Sequence, residues 1–128
     1  MAYVIGCLMA SLSFLLNKLL LQYIGNRVIV SYGPIFEELA KTLCSYYLGA
    51  DILVTHIIFG ILEAAYDWFK NSSRERRGLA ALSSIVGHGL FGGLTVGVFY
   101  LSGSILGGIF IAVCVHLIWN VTVIRLSA

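Results

Sequence analysis

The sequence predicts an all-α membrane protein, a single polytopic domain of about five transmembrane helices that covers residues 1–128. Of the 128 residues, 59% are hydrophobic and 11% are charged, and the mean hydropathy is +0.95. Soluble globular chains are about 45–50% apolar and about 25% charged, so the composition excludes that class. Because each span takes about 20 apolar residues, the length allows about five spans and no additional soluble catalytic domain. The net charge of +2 is too small to indicate nucleic-acid binding.

Breaks in apolar character divide the chain into five predicted helices. The first ends near Arg27, and the second begins at Pro34, a residue favoured in the first turn of a helix. The polar stretch 70–77 separates the third helix from the fourth, and a tight turn at 102–104 precedes the fifth. The predicted helices cover about residues 2–24, 34–49, 51–69, 78–101 and 105–126.

Basic residues are concentrated on one side of the predicted bundle. Five spans place Arg27, the 70–77 loop and Arg125 on the same side, which then carries six Lys and Arg residues. The other side carries the N-terminus, the turn at Asp51 and the turn at 102–104. The positive-inside rule therefore predicts an N-out, C-in orientation. We expect a multi-pass protein of a prokaryotic cell membrane.

Several polar side chains lie within the predicted helices, where an ionisable group costs roughly 2.5–3.5 kcal/mol if it faces lipid. They are Glu37, Glu38, Lys41, Glu63, His88, His116 and Asn120. At about 1.5 Å per residue, all of them lie about 5–15 Å from the cytoplasmic ends of their helices. Since they share one layer, we expect them to point into the bundle and form a common polar site.

The spacing of these residues predicts specific pairs. Lys41 follows Glu37 by four positions and Glu38 by three, so the lysine can pair with either acid. His116 and Asn120 are four positions apart and lie about 6 Å from each other on one helix face. That separation suits donation of two hydrogen bonds to a single developing oxyanion.

Small residues recur every four positions along three helices, at Gly6 and Ala10, at Gly60 and Ala64, and at Gly89, Gly93 and Gly97. In lipid this spacing lets helix backbones approach closely, which predicts helix packing along these stripes. A second interpretation is that the glycines between 87 and 93 clear space beside His88.

Three sequence motifs together resemble a family of intramembrane proteases. The segment 36–41, Phe-Glu-Glu-Leu-Ala-Lys, resembles the EExxK motif of PrsW-type proteases, relatives of the CAAX prenyl protease and Abi (CPBP) superfamily. His88, flanked by glycines, is similar to the family's middle histidine motif, and His116 with Asn120 resembles the closing HxxxN motif. The segment around Glu63 is similar to a further glutamate–tyrosine segment of the PrsW type. The resemblance covers about residues 36–120.

The resemblance implies a glutamate-dependent intramembrane endopeptidase without a cofactor, acting on a membrane-embedded or membrane-anchored protein. Glu37 would be the general base, and His88 would orient the water. His116 and Asn120 would stabilise the oxyanion. Supporting roles fall to Glu38, Lys41, Glu63 and Tyr66.

Two other functions remain open at this stage. The same superfamily includes the non-proteolytic Aph subunit of gamma-secretase, so a scaffold that docks a partner membrane protein is the main alternative. A scaffold predicts polar groups that pair with one another and leave no water cavity. A minor alternative is a zinc site at Glu37, His88 and His116, since two histidines and a carboxylate are a sufficient ligand set. Assembly into a homo-oligomer or a membrane complex is compatible with each function.

Overall fold

The computed structural model describes residues 1–25, 31–70 and 73–127; Arg27, used above for the orientation, lies outside them. The described residues form five helices, which confirms the all-α class: α1 (Ala2–Ile24), α2 (Gly33–Tyr47), α3 (Ile52–Lys70), α4 (Arg74–Ser102) and α5 (Ile105–Ser127). Within the described residues, α1, α3, α4 and α5 are long and apolar enough to cross a membrane. The 15 residues of α2 rise only about 22 Å, less than the roughly 30 Å of a hydrocarbon core. A fifth complete span therefore stays a prediction.

Helices α1 and α3 lie side by side and run in the same direction. Near their N-termini, a Cβ added at Gly6 would lie 2.8 Å from Ile58, so the two backbones approach closely there. Further along, the rings of Phe14 and Tyr66 stack with centroids 4.8 Å apart. The close approach at Gly6 agrees with the predicted packing stripe of the first helix.

Helix α4 packs antiparallel to α3, and α5 returns antiparallel to α4. Ser84 near the start of α4 donates a hydrogen bond to Asp67 near the end of α3, at 3.0 Å. Gly92, further along α4, lies against His56 near the start of α3. Gly103, with φ of 69°, ends α4 in the left-handed conformation and turns the chain into α5.

The basic residues gather at one end of the bundle, as predicted. Because α3 and α5 end where α4 begins, Lys70, Arg76 and Arg125 share this end, which we call the basic end. The opposite end carries the turns at Asp51 and at 102–104. Which side of a membrane the basic end faces stays a prediction.

Helix α4 begins at Arg74, about four residues earlier than predicted. Ser73 is its N-cap, and the Ser73 hydroxyl accepts a hydrogen bond from the backbone N–H of Arg76 at 3.3 Å. The Ser73 cap lets the helix begin with a charged turn that precedes the apolar segment. The prediction placed the start of the helix where the apolar segment begins.

Helix α2 ends at Tyr47, two residues earlier than predicted. Gly49 has φ of 62°, and the N–H of Ala50 donates to the carbonyl oxygen of Ser45 at 2.8 Å. These features form a Schellman motif, in which a left-handed glycine ends the helix.

The stripe of glycines on α4 differs from its prediction. A Cβ added at Gly89, Gly93 or Gly97 would meet no atom within 4 Å, so this face packs against no helix of the described chain. Gly60 does make the expected close approach, because a Cβ there would lie 2.9 Å from the Cβ of His88.

The interior of the bundle contains many polar side chains as well as apolar ones, and its outer surface is largely apolar. The largest side chains with less than 2% exposure include Lys41, His56, His88 and Glu38. Many leucines, isoleucines and aromatic residues are exposed on the outside. So many buried ionisable groups and exposed large apolar side chains are unusual in soluble proteins and are expected where lipid is the solvent.

Candidate functional site

Helix α2 carries three ionisable side chains into the interior. It begins at Gly33-Pro34, and its first three turns present Glu37, Glu38 and Lys41. The exposed fraction is 5% for Glu37 and 0% for Glu38 and Lys41. Buried charges are tolerated only where other groups pair with them, so partners on neighbouring helices are required.

Glu38 is the centre of the buried network. Its Oε1 accepts hydrogen bonds from Lys41 Nζ at 2.6 Å and from His116 Nδ1 at 2.9 Å. Its Oε2 accepts a hydrogen bond from His56 Nε2 at 3.1 Å. One carboxylate thus joins α2, α3 and α5, and of the two acids that Lys41 could serve, it pairs with Glu38.

His88 links this network to Glu63. Lys41 Nζ donates to His88 Nδ1 at 2.8 Å, and His88 Nε2 donates to Glu63 Oε2 at 2.7 Å. An ammonium neighbour cannot accept and a carboxylate cannot donate, so these partners assign a neutral ring with its proton on Nε2. The ammonium of Lys41 also lies 4.5 Å from the centre of the Phe59 ring, a cation–π contact.

Glu37 approaches the two histidines from the other side. Asn17 Nδ2 of α1 donates to Glu37 Oε1 at 2.9 Å and orients the carboxylate. One ligand atom each of Glu37, His88 and His116 lie within 4.8 Å of one another. Three atoms so placed lie within about 2.8 Å of a common centre, which lets Glu37 and His116 hydrogen-bond one water there. Both ring nitrogens of His88 already have partners, so this histidine can only pack beside that water. The structure therefore brings together three of the four predicted catalytic residues.

A cavity of about 180 Å³ opens beside the histidines, between α3, α4 and α5. His88, His116 and Asn120 line it, so the fourth predicted catalytic residue lies beside the two histidines, whereas Glu37 is not among the lining residues. Glu63 and Asp67 line the α3 side of the cavity. The side chain of Glu63 is 27% exposed, so this carboxylate connects the buried network to the cavity.

His56 is the member of the network that the sequence analysis missed. Its Nδ1 lies 2.8 Å from the carbonyl oxygen of Ile52, and its Nε2 lies beside Glu38. A carbonyl oxygen only accepts, so Nδ1 carries a proton, and Nε2 faces the Glu38 carboxylate at 3.1 Å. Gly92 makes room for the ring, because a Cβ there would lie 2.7 Å from the Cβ of His56. The signal in the sequence was a third histidine in an apolar helix.

The buried network can balance its own charge. Three carboxyl groups are matched by three groups able to carry a positive charge: Glu37, Glu38 and Glu63, with Lys41, His56 and His116. The sum is zero when all the carboxyl groups are ionised and both of those imidazoles are protonated. A neutral total lowers the cost of burying so many ionisable groups.

Tyr66 lies apart from this network, although the family resemblance gives it a supporting role. Its ring stacks on Phe14 of α1, and the ammonium of Lys70 lies 5.3 Å from the ring centre. The residue is 46% exposed. This position matches an aromatic residue near the membrane surface.

The donor set fits zinc poorly in this arrangement, although Glu37, His88 and His116 lie close together. Both ring nitrogens of His88 already have hydrogen-bond partners, at 2.8 and 2.7 Å. Zinc binds an unprotonated imidazole nitrogen at about 2.0–2.1 Å, so Lys41 or Glu63 would have to leave His88. The adjacent ammonium of Lys41 would also repel a divalent cation.

No family model matches this chain, and no curated protein and no solved structure matches it. The grounds for a function are therefore the geometry of these residues and the motifs that they form.

Proposed function

We propose that this protein is an intramembrane endopeptidase, which hydrolyses a peptide bond of a membrane-embedded or membrane-anchored protein with water activated by Glu37. The observation that carries the proposal is the approach of one ligand atom each of Glu37, His88 and His116 to within 4.8 Å of one another. The two histidines also line a cavity of about 180 Å³. General-base hydrolysis needs a carboxylate and a bound water within hydrogen-bonding distance, next to a space for the substrate.

In the proposed reaction, Glu37 removes a proton from the water, and the resulting hydroxide attacks the carbonyl carbon of the scissile bond. Asn17 holds the Glu37 carboxylate in place through the 2.9 Å hydrogen bond. The tetrahedral intermediate collapses as the C–N bond breaks, and Glu37 returns the proton to the leaving amine nitrogen. Atoms balance, since one water is consumed and a carboxylic acid and an amine are formed.

His116 and Asn120 are placed to stabilise the oxyanion of that intermediate. His116 uses Nδ1 for Glu38, which leaves Nε2 to donate when the ring is protonated. Asn120 lines the same cavity as His116. Preorganised donors of this kind are a large part of catalysis in acyl transfer.

The motif resemblance supports the same assignment. Glu37 and Glu38 resemble the acidic pair of PrsW-type proteases, and His88, His116 and Asn120 occupy the positions of the later motifs. With the N-out, C-in orientation, the cavity would open toward the cytoplasm of a prokaryotic cell.

Hydrolysis can be tested without knowledge of the natural substrate. The full chain is reconstituted in lipid nanodiscs with a pool of single-span peptides in ¹⁸O-water, and products are identified by mass spectrometry. We expect fragments that carry ¹⁸O in a new C-terminal carboxylate. Replacement of Glu37 by Gln should lower the rate at least about 100-fold, since it removes the base.

Asp51→Asn is the matched control. Asp51 lies at the opposite end of the bundle, where its carboxylate accepts a hydrogen bond from the N–H of Val54 at 2.9 Å. This variant should retain the wild-type rate. Undiminished cleavage by Glu37→Gln would remove Glu37 from the role of base.

A membrane scaffold is the second candidate function, and one observation favours it. The hydrogen-bonding atoms of Glu38 and His88 are occupied by other side chains of the network. For a scaffold, every peptide of the pool stays intact although the protein is folded, and Glu37→Gln leaves the binding of partner membrane proteins unchanged.

A further inference from the structure

A second groove lies between the start of α2 and the last turns of α5, at the basic end. Its volume is about 420 Å³. The walls are apolar side chains, Ile35, Leu117, Ile118 and Val121. The polar residues Ser31, Thr122 and Arg125 complete the lining. None of these residues lines the cavity beside the histidines, so the groove is a separate site.

The groove runs along α5, a helix long and apolar enough to cross a membrane, and Arg125 lies at the end of the groove near the C-terminus of α5. From Ile105 to Arg125, α5 rises about 30 Å, which equals the thickness of a hydrocarbon core. Arg125 therefore reaches the headgroup region when Ile105 lies at the opposite surface. From Arg125 to Leu117 the groove extends about 12 Å toward the middle of the bilayer.

The positive charge of Arg125, at the rim of the groove, is not paired with a negative charge in the described part of the chain. Arg125 is exposed and forms no ion pair with the described residues. Its guanidinium can donate a bidentate pair of hydrogen bonds to a phosphate, and the hydroxyl of Ser31 adds a polar group in the same groove.

We propose that this groove binds one anionic phospholipid. The phosphate lies at Arg125, and an acyl chain follows the apolar wall formed by Ile35, Leu117 and Val121. The cation at the end of the apolar groove is complementary in charge to the headgroup of an anionic lipid, and the groove is complementary in shape to an acyl chain. Basic pockets between membrane helices bind such headgroups. The site does not depend on the proposed peptidase activity.

The lipid would also stabilise the candidate site. The groove is bounded by α2 and α5, the two helices that the hydrogen bond from His116 to Glu38 joins at 2.9 Å. An acyl chain in the groove would pack against both helices and would raise the midpoint temperature of thermal unfolding.

The test uses the full chain in nanodiscs that contain equal amounts of phosphatidylglycerol and phosphatidylcholine. The protein is extracted in a mild detergent, and the retained lipid is measured by native mass spectrometry. We expect phosphatidylglycerol to be enriched about fivefold over phosphatidylcholine, because the attraction of one surface arginine to an anionic lipid corresponds to about that ratio. Arg125→Gln should abolish the enrichment. Val121→Trp, which fills the apolar part, should reduce the amount of bound lipid.

Arg76→Gln is the control, because Arg76 is exposed at the same end but outside the groove. It should retain the enrichment. Equal losses in Arg76→Gln and Arg125→Gln would show general attraction to a basic surface and would overturn the proposal. Equal retention of both lipids, unchanged binding in Arg125→Gln, or a co-purified peptide in place of lipid would overturn it as well.

Discussion

The Glu38 carboxylate accepts a 2.9 Å hydrogen bond from His116, although 78 positions separate the two residues. This contact joins α2, the shortest helix, to α5, the last one. The same carboxylate also binds Lys41 and His56. The position of His116, to which we assign the stabilisation of the oxyanion in the proposed reaction, therefore depends on Glu38, which lies outside the cavity.

Loss of the Glu38 charge should destabilise the whole bundle. Glu38→Gln leaves the ammonium of Lys41 buried beside a neutral amide, and breaking a buried ion pair in this way costs about 3–5 kcal/mol. Thermal unfolding in a mild detergent measures the change. Glu63→Gln is the control, because Glu63 is 27% exposed and the amide oxygen can still accept from His88. Equal losses in both variants would contradict the central role of Glu38.

Two neighbouring glycines on α4 should respond to alanine in opposite ways. At Gly92 a Cβ would lie 2.7 Å from the Cβ of His56, so Gly92→Ala should cost about 1–3 kcal/mol through overpacking. At Gly93 a Cβ would meet no atom within 4 Å. Gly93→Ala should therefore be neutral or gain up to about 1 kcal/mol from helix propensity. The free energies of unfolding of the two variants test the packing, and a reversed order would contradict it.

Two buried threonines should respond differently to valine. The Thr42 hydroxyl has no hydrogen-bond partner among the described residues, so Thr42→Val should be neutral or slightly stabilising. The Thr55 hydroxyl accepts from Ser45 at 2.8 Å and donates to the carbonyl oxygen of Asp51 at 2.9 Å. Thr55→Val should therefore lose about 1–3 kcal/mol of stability. If Thr42→Val is the more damaging variant in unfolding experiments, the hydroxyl of Thr42 is satisfied by water.

Asn17 should affect the rate of the proposed hydrolysis more than substrate binding. Asn17→Ala removes the hydrogen bond to Glu37 and lets the carboxylate turn away, so kcat should fall about tenfold with KM nearly unchanged. The measurement uses a peptide cleaved by the wild-type protein. Ser11→Ala is the control on the same helix, because the exposed Ser11 hydroxyl contacts only the backbone of Cys7 among the described residues. A rise in KM with unchanged kcat would instead place Asn17 in substrate binding.

The helices were predictable because their signals are local. A run of apolar residues favours a membrane helix wherever it occurs, and a buried Glu or Lys is costly in any lipid-facing position. The helix ends and the rise per residue were therefore enough to predict one shared polar layer, which contains Glu37, Lys41, His88 and His116. The start of α4 did not, since it depends on the Ser73 cap and not on hydropathy.

The partners of each polar residue were not predictable in the same way. Spacing allowed Lys41 to pair with either adjacent acid, and in the structure it binds Glu38 and also reaches His88. His56 attracted no prediction, yet it is a buried member of the network and contacts Glu38. The glycines at 89, 93 and 97 have the spacing of a packing stripe but face outward.

The sequence by itself determined the class of protein, the approximate helices and the residues that had to be buried. The reason is that the number and spacing of apolar and polar residues set the free energy of placing each segment in lipid. Only the tertiary structure decided which side chains meet. That outcome depends on the rotation and the axial position of each helix relative to its neighbours. A shift of one residue turns a side chain by about 100° around its helix. The hydrogen bond between Glu38 and His116 therefore depends on how α2 and α5 are rotated and positioned against each other.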